Sequence, residues 1–242
     1  MNTNWSFTDT HIHLDQYSPE ELKFLLKICH DQGIRRFIVP DVSFNLKDWE
    51  LPVSADIYCC WGCHPQWSNA PWSPCGSVVA VGECGLDSRC DCDKKLQQER
   101  FLSQLTEAQS RNLPVLIHCV KSYGKVLDLI KEANFLGSGV IHGFSSSVEI
   151  AKKFMEKGFA LGIGALLLDE RAHRIRDAVV YAGSQHIVLE TDAPFFRGTT
   201  PLSLIDIAQT CSTILKCSLE RLSENTEDTV NRIFKIGTHN YD

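Results

Sequence analysis

Eight short apolar segments are spread along the chain, and they constrain its fold more than any other feature. They occupy residues 6–11, 36–39, 57–62, 78–82, 115–118, 139–142, 159–163 and 186–190. Most of them are almost continuously apolar, as expected of parallel strands that are covered on both faces. Segments with the apolar periodicity of amphipathic helices separate most of them. This alternation of strand and helix predicts an α/β fold, specifically a (β/α)₈ TIM barrel.

The predicted helices do not follow every strand equally well. Apolar stripes predict helices over 20–32, 94–112, 123–133, 148–157 and 171–182, and two more over 201–216 and 220–236. The segment 64–77 contains three prolines and favours a loop. We therefore predict a barrel that is degenerate at its third βα unit and carries an extra C-terminal helix. The alternative, an open doubly wound sheet, is disfavoured because the chain lacks a Gly-rich first turn.

Length and charge narrow the class of protein. The chain has 242 residues, near the roughly 250 that are typical of one such barrel. Its net charge of −6 argues against a protein that coats duplex DNA, because phosphate neutralisation favours basic proteins. Residues 1–9 show no secretory pattern, and no apolar segment approaches the roughly 20 residues of a membrane span. We expect a cytoplasmic protein that does not bind membranes.

The 11 cysteines are numerous for such a chain. Without a secretory pattern we expect reduced thiols that mostly serve as small core residues. Two close pairs, Cys60 with Cys63 and Cys90 with Cys92, leave a structural zinc site open as the less favoured alternative. A zinc ribbon would need a second CxxC pair, which the sequence lacks.

Potential metal ligands follow the predicted strands. Residues two apart on an extended strand share a face, so His11 and His13 can both point into the barrel mouth. Four more follow strands four, five, six and eight, namely Glu83, His118, His142 and Asp192. A single histidine after an apolar run is more often structural than a ligand. Six candidates at one end of five strands predict a metal site, because working groups of such barrels lie at the C-terminal ends of the strands.

Six ordered motifs carry a resemblance to a known family. The chain reads Thr8-Asp9-Thr10-His11-Ile12-His13-Leu14, Gly62-Cys63-His64-Pro65, Val81-Gly82-Glu83-Cys84-Gly85-Leu86-Asp87, Leu113-Pro114-Val115-Leu116-Ile117-His118, His142-Gly143-Phe144-Ser145 and Leu189-Glu190-Thr191-Asp192-Ala193-Pro194. These resemble the successive motifs of TatD-like metal-dependent deoxyribonucleases, which are amidohydrolase-like barrels. The resemblance implies that residues 1–242 form a single TatD-like hydrolase domain.

The resemblance also implies the roles of individual residues. His11, His13 and Asp192 would hold one divalent ion, His118 and His142 the second, and Glu83 would bridge the two. His64 would face the substrate phosphate. Apart from the resemblance, Arg197 and Lys121 could meet phosphate oxygens, with solvated surface charges as the alternative. Asp192 and Glu83 would be catalytic, with a water activated by two metals attacking a phosphodiester and Asp192 orienting or deprotonating it. Zn²⁺, Mn²⁺, Ni²⁺ and Mg²⁺ all stay open as the metal.

The sequence constrains the identity of the substrate less than it constrains the metal site. The family arginine after the fifth-strand histidine is absent, since Val120 and Lys121 stand there. The resemblance implies a 3′-5′ exonuclease-like deoxyribonuclease with single-stranded DNA as substrate. Trp61, Trp67 and Trp72 could stack unpaired bases, although packing is the reading we favour.

Two other functions stay open at this point. One is a hydrolase of a small phosphoester or amide on the same barrel, because fold does not fix function. The other is a subunit of a larger assembly with protein partners. Some TatD-like proteins are encoded with bacterial anti-phage defence components, and this hypothesis extends that role in antiviral defence to the present chain.

Overall fold

Eight parallel strands follow one another in chain order around a nearly closed barrel. The computed structural model describes residues 4–40, 55–67, 78–196 and 198–237. The strands are Phe7–Asp9 (β1), Ile34–Val39 (β2), Asp56–Trp61 (β3), Ala80–Asp87 (β4), Val115–Val120 (β5), Gly139–His142 (β6), Phe159–Ile163 (β7) and Ile187–Leu189 (β8). The Thr10 N–H donates to the Leu189 carbonyl at 2.9 Å and so joins the first and last strands. The predicted TIM barrel is confirmed.

Seven helices surround or close this barrel within the described residues. They are Pro19–Asp31 (α1), Lys94–Ser110 (α2), Tyr123–Glu132 (α3), Val148–Met155 (α4), His173–Ala182 (α5), Ser203–Leu215 (α6) and Leu219–Phe234 (α7). α1 begins at a capping box in which the Ser18 hydroxyl and the Glu21 carboxylate each accept from the other's backbone N–H. Gly183 ends α5 at a positive φ of 66°, as its position in the sequence predicts. None of the described helices is long and apolar enough to cross a membrane.

The third βα unit is indeed irregular where it can be described. After β3 the chain forms a single 3₁₀ turn, Pro65–Trp67. Residues 68–77, which complete the predicted loop, lie outside the described residues. Prolines remove backbone donors and oppose an α-helix here.

The last helix closes the N-terminal end of the barrel. Inward-facing apolar side chains of seven strands form one layer there: Ile38, Cys60, Ala80, Leu116, Val140, Ala160 and Val188. Val230, Ile233 and Phe234 of α7 pack against this layer. α7 is the extra C-terminal helix that the sequence predicts. Because it covers this end, solvent reaches the interior from the opposite end, where the strands finish.

The cysteines differ in part from expectation. Eight of those that the structure describes are free thiols, and most of these are buried. Cys90 and Cys92, however, are only partly buried and have their Sγ atoms in contact, so they are not the small core residues that we expect most of the cysteines to be. Their Cα atoms lie 5.3 Å apart in the turn before α2, a separation that a disulfide can span. Among the described residues, the groups able to hold a metal contain no cysteine.

Candidate metal centre

Imidazoles and carboxylates from six strands converge in the barrel mouth. Three overlapping groups have ligand atoms within 4.8 Å of one another: His11, His13 and Glu83; His11, His142 and Asp192; His64, Glu83 and His118. The structure thus brings together all six side chains that the sequence singles out as ligands. It adds His64, which the sequence places beside the substrate instead.

The first two histidines lie on a backbone segment that is anchored on both sides. β1 ends at Asp9, but the following residues continue between β2 and the segment after β8. The Ile12 N–H donates to the Ile38 carbonyl at 3.2 Å, and the Asp192 N–H donates to the His11 carbonyl at 2.9 Å. His11 is fully buried, and its backbone is held directly against that of Asp192. The first histidine and the last acid of the cluster are therefore positioned as one unit.

The Asp9 carboxylate strengthens the same junction. Its Oδ1 accepts the Thr191 N–H at 3.0 Å, and its Oδ2 accepts the Thr191 hydroxyl at 2.6 Å. It also accepts the His11 N–H at 3.3 Å. Asp9 is fully buried, and burial raises its pKa to about 8 although these three bonds favour the ionised form.

Glu83 presents its two oxygens to two different histidines. The pairing of β4 with β5 shifts register between Val81 and Cys84, a bulge that can redirect a side chain. Oε1 lies 2.6 Å from His118 Nδ1, and Oε2 lies 3.3 Å from His11 Nε2. Each oxygen of the Glu83 carboxylate thus faces a different histidine.

Glu190 holds His142 from deeper in the barrel. Its Oε1 lies 3.0 Å from His142 Nδ1 and accepts the Gly143 N–H at 2.6 Å. This leaves His142 Nε2 facing the cluster, 3.8 Å from Asp192 Oδ2 and 3.9 Å from Glu83 Oε1. A carboxylate behind a histidine in this way fixes the ring and raises its basicity as a ligand. Glu190 is thus a buried support for His142.

His64 and Asp87 flank His118 on its two ring nitrogens. His64 Nε2 lies 3.3 Å from His118 Nδ1 and 3.6 Å from Glu83 Oε1. Asp87 Oδ2 lies 3.6 Å from His118 Nε2 and is held in part by the Gln66 amide. Sequence reasoning missed Asp87, although it closes the motif that contains Glu83.

The spacing of these atoms fits shared cations. Two donors bound about 2.1 Å from one ion at tetrahedral or octahedral angles lie roughly 3.0–3.5 Å apart. The His11 to Glu83 and His64 to His118 separations are both 3.3 Å, and His13 Nε2 lies 3.5 Å from Asp192 Oδ1. Both ring nitrogens of His11 are buried, and Nε2 faces the carboxylates of Glu83 and Asp192 without hydrogen-bond geometry to either. A divalent ion between them would bind Nε2.

The charges of the cluster also favour a bound cation. Burial lowers the pKa of His11, and lowers that of His64 to about 4, so both offer neutral lone pairs at neutral pH. Burial alone would raise the pKa of Glu83, but His11 and His118 hold it well below its usual range. Burial opposes protonation of His118 and His142, yet the nearby carboxylates raise their pKa values to about 9 and about 10. The site attracts positive charge, which a metal can supply in place of protons.

Other residues that the sequence singles out lie elsewhere. Trp61 is 4% exposed, so it packs inside the protein and is not available to stack bases. Trp72, the Trp67 side chain and Arg197 lie outside the described residues. Lys121 lines a cavity of about 580 Å³ that reaches His118, His142 and Asp192.

A (β/α)₈ barrel with imidazoles and carboxylates at its strand ends is the architecture of metal-dependent hydrolases. Comparison with known proteins identifies the family within this class. The family model described as TatD related DNase matches residues 8–235. The uncharacterized metal-dependent hydrolase YjjV of Escherichia coli is 30% identical over 207 residues, which cover 78% of this chain and 79% of YjjV.

Two further comparisons agree. The crystal structure of YjjV superposes with a TM-score of 0.84 at 24% identity, covering 97% of this chain and 100% of that one. The 3′-5′ ssDNA/RNA exonuclease TatD of Citrobacter koseri is 31% identical over 187 residues, or 70% of this chain and 72% of TatD. The chain therefore belongs to the TatD-related DNase family of metal-dependent hydrolases, as its motifs predict.

Proposed function

We propose that the protein hydrolyses phosphodiester bonds at the 3′ end of single-stranded DNA with two divalent ions in the barrel mouth. The observation that supports this most is the division of the Glu83 carboxylate between His118 and His11. Two ions at such a site would supply Lewis acidity to the phosphate and lower the pKa of a coordinated water.

The side chains divide the work as follows. His11, His13 and Asp192 would hold one ion, His118 and His142 would hold the other, and Glu83 would contribute to both. His64 lies close enough to Glu83 and His118 to join the second group. Because its pKa is low, it would meet a phosphate as a neutral hydrogen-bond donor and not as a cation.

Asp192 is the carboxylate that a water can reach. Its side chain is 27% exposed, whereas those of Glu83 and Glu190 are 7% and 1% exposed. Burial opposes ionisation, but a bond from His13 and the charge of His142 lower its pKa, so it is ionised at neutral pH. It would therefore accept a hydrogen bond from the attacking water and orient it.

Nitrogen-rich ligands select the metal. Five imidazoles and two carboxylates make a mixed set of nitrogen and oxygen ligands, which suits Zn²⁺, Mn²⁺ and Ni²⁺ better than Mg²⁺, which prefers oxygen alone. We propose one of the first three as the resident ion.

A nucleic-acid substrate is supported by an exposed aromatic ring beside the cluster. Phe195 is 60% exposed, and its ring lies edge-on 4.7 Å from that of His13. A base leaving the site could stack on it. The name of the Citrobacter relative agrees with this substrate class. The alternatives, a small phosphoester or an amide, are therefore treated as competing substrates.

Metal analysis coupled to a nuclease assay tests the proposal. We expect about two transition-metal ions per chain, and release of mononucleotides from 3′ ends that chelator abolishes and added metal restores. Glu83→Gln should lose both metal and activity. Hydrolysis of phosphomonoesters or amides with no action on DNA would overturn the substrate assignment. Membership of an anti-phage assembly stays a prediction, which a pull-down from native cells would test.

A further inference from the structure

The cavity beside the candidate metal centre is also lined by three cations. It encloses about 580 Å³, within the range of roughly 300–1,000 Å³ for small-ligand sites. Part of its lining is the cluster already described, including His142 and Asp192. Arg89, Lys121 and Arg174 line it as well. The metal centre explains why His142 and Asp192 line this cavity, but it does not explain the three cations.

These cations come together because of the barrel topology. Arg89 follows β4 by two residues, Lys121 follows β5 by one, and Arg174 lies in the first turn of α5, after β7. All three segments leave the C-terminal ends of strands, the same end at which the cluster lies. Their convergence is thus a property of three separate loops.

Arg89, Lys121 and Arg174 are exposed and form no ion pair and no side-chain hydrogen bond with the part of the chain that the structure describes. Other exposed cations of the chain are unpaired as well, so it is the shared cavity that sets these three apart. The chain has 30 acidic residues against 24 basic ones, so counter-charges are plentiful elsewhere. Cations left unpaired around one cavity suit an anionic ligand, and arginine suits phosphate in particular.

Apolar side chains complete the lining. Phe144, Leu166 and Phe196 border the same cavity. A wall of this kind suits a sugar or a base, while the cations suit the phosphates that alternate with them along a strand. An amide or a neutral ester would leave the three cations without partners.

We propose that Arg89, Lys121 and Arg174 form a subsite for the phosphate next to the one that is cleaved. The inference rests on the proposed function and narrows its substrate to strand ends with at least two consecutive phosphates. Mononucleoside phosphoesters, which lack the second phosphate, are poor substrates on this view.

A neutralised phosphate tests the subsite directly. The probes are a short single strand with ordinary phosphodiesters and the same strand with an uncharged methylphosphonate next to the cleaved bond. We expect wild type to cleave the second about 10–100-fold less efficiently, mainly through KM, because charge-assisted hydrogen bonds are worth roughly 1.5–3 kcal/mol. Arg174→Gln, Lys121→Gln and Arg89→Gln should discriminate less between the two strands, and Arg174→Lys should restore part of the difference.

Matched controls and a binding assay separate the possible outcomes. Lys153→Gln on α4 and Arg232→Gln on α7 remove exposed cations outside the cavity and should leave the discrimination unchanged. Anisotropy of a labelled strand, measured with chelator, reports binding without turnover, and each cavity variant should reduce the slope of log affinity against log salt by about 0.7. Wild-type discrimination and salt slope in all three variants would overturn the subsite. Charge-dependent binding without hydrolysis would support the subsite and refute the proposed function.

Discussion

The two ends of the barrel treat buried polar groups in opposite ways. At the closed end, the Arg36 guanidinium donates to Glu227, to Asn231 at 2.7 Å and to Thr8 at 3.0 Å. At the open end, His11 is equally buried, yet its Nδ1 has no hydrogen-bond partner among the described residues and its Nε2 faces the carboxylates of Glu83 and Asp192 at 3.3 and 3.8 Å. Buried polar groups in proteins are almost always satisfied. The buried polar groups of the closed end therefore stabilise the fold. Those of the open end form a site that a ligand completes.

This difference predicts how substitutions behave at each end. Changes at the open end should alter metal binding and turnover with little loss of stability. Changes at the closed end should alter stability with little effect on the chemistry of the site.

Glu83→Gln should have the largest effect on activity. It removes the negative charge shared between His11 and His118, so kcat should fall by about 10³-fold, as when a central stabilising group is lost. Thermal unfolding of the metal-free variant, followed by circular dichroism, should be close to that of wild type. If Glu83→Gln lost activity because it was unfolded, the contrast between the two ends of the barrel would be contradicted.

Arg36→Met should have the largest effect on stability. It leaves the buried Glu227 carboxylate without its cation, which costs about 3–5 kcal/mol in comparable pairs. Urea unfolding measures the loss. Arg36→Met combined with Glu227→Leu should recover most of it, and a double variant as unstable as the single one would argue against an unpaired charge as the cause. Metal affinity should be unchanged in the folded protein.

Glu190→Gln should weaken metal binding by about 10–100-fold, because it removes the charge behind His142 while preserving volume. Gly162→Ala offers a matched perturbation, since an added Cβ would lie 2.3 Å from Glu190 Oε2 and displace that carboxylate. Both variants should lose affinity in isothermal titration with Zn²⁺. If both variants bound Zn²⁺ with wild-type affinity, Glu190 would have no role in metal binding.

Phe195→Ala should have the smallest effect. Loss of one stacking partner at the lower end of the range of roughly 1–3 kcal/mol raises KM for single-stranded DNA about fivefold. Stability should change by less than about 0.5 kcal/mol, as for exposed residues in general. Phe24→Ala is the matched control, because Phe24 is similarly exposed at 65% but lies on α1. An equal change in KM for both variants would refute a stacking role.

Much of the fold was accessible from the sequence, because parallel strands buried on both faces leave continuous apolar runs. β6 and β7 match their predicted bounds, and β5 is extended only at its end. β4 is the exception, since it runs to Asp87 and not to residue 82. Its apolar pattern is interrupted by Gly82 and Glu83, and the register shift that carries the strand onward is not visible in composition.

For the site as well, the sequence predicted the local features but not the contacts that depend on how distant strands pair. The two-residue spacing of His11 and His13 predicts that both enter the barrel mouth, and they do, although β1 itself ends at Asp9. The contact of His64 with His118, and of Asp87 with the far side of the same ring, depends on the register among β3, β4 and β5. The sequence predicted the convergence of the six side chains, and their roles as metal ligands stay predictions.

Anomalous diffraction from crystals grown with Zn²⁺ or Mn²⁺ tests the central claim most directly. The account predicts two peaks about 4 Å apart in the barrel mouth, with one Glu83 oxygen on each. Crystals whose ions bind only at other surfaces, with no peak between His11, Glu83 and His118, would contradict it.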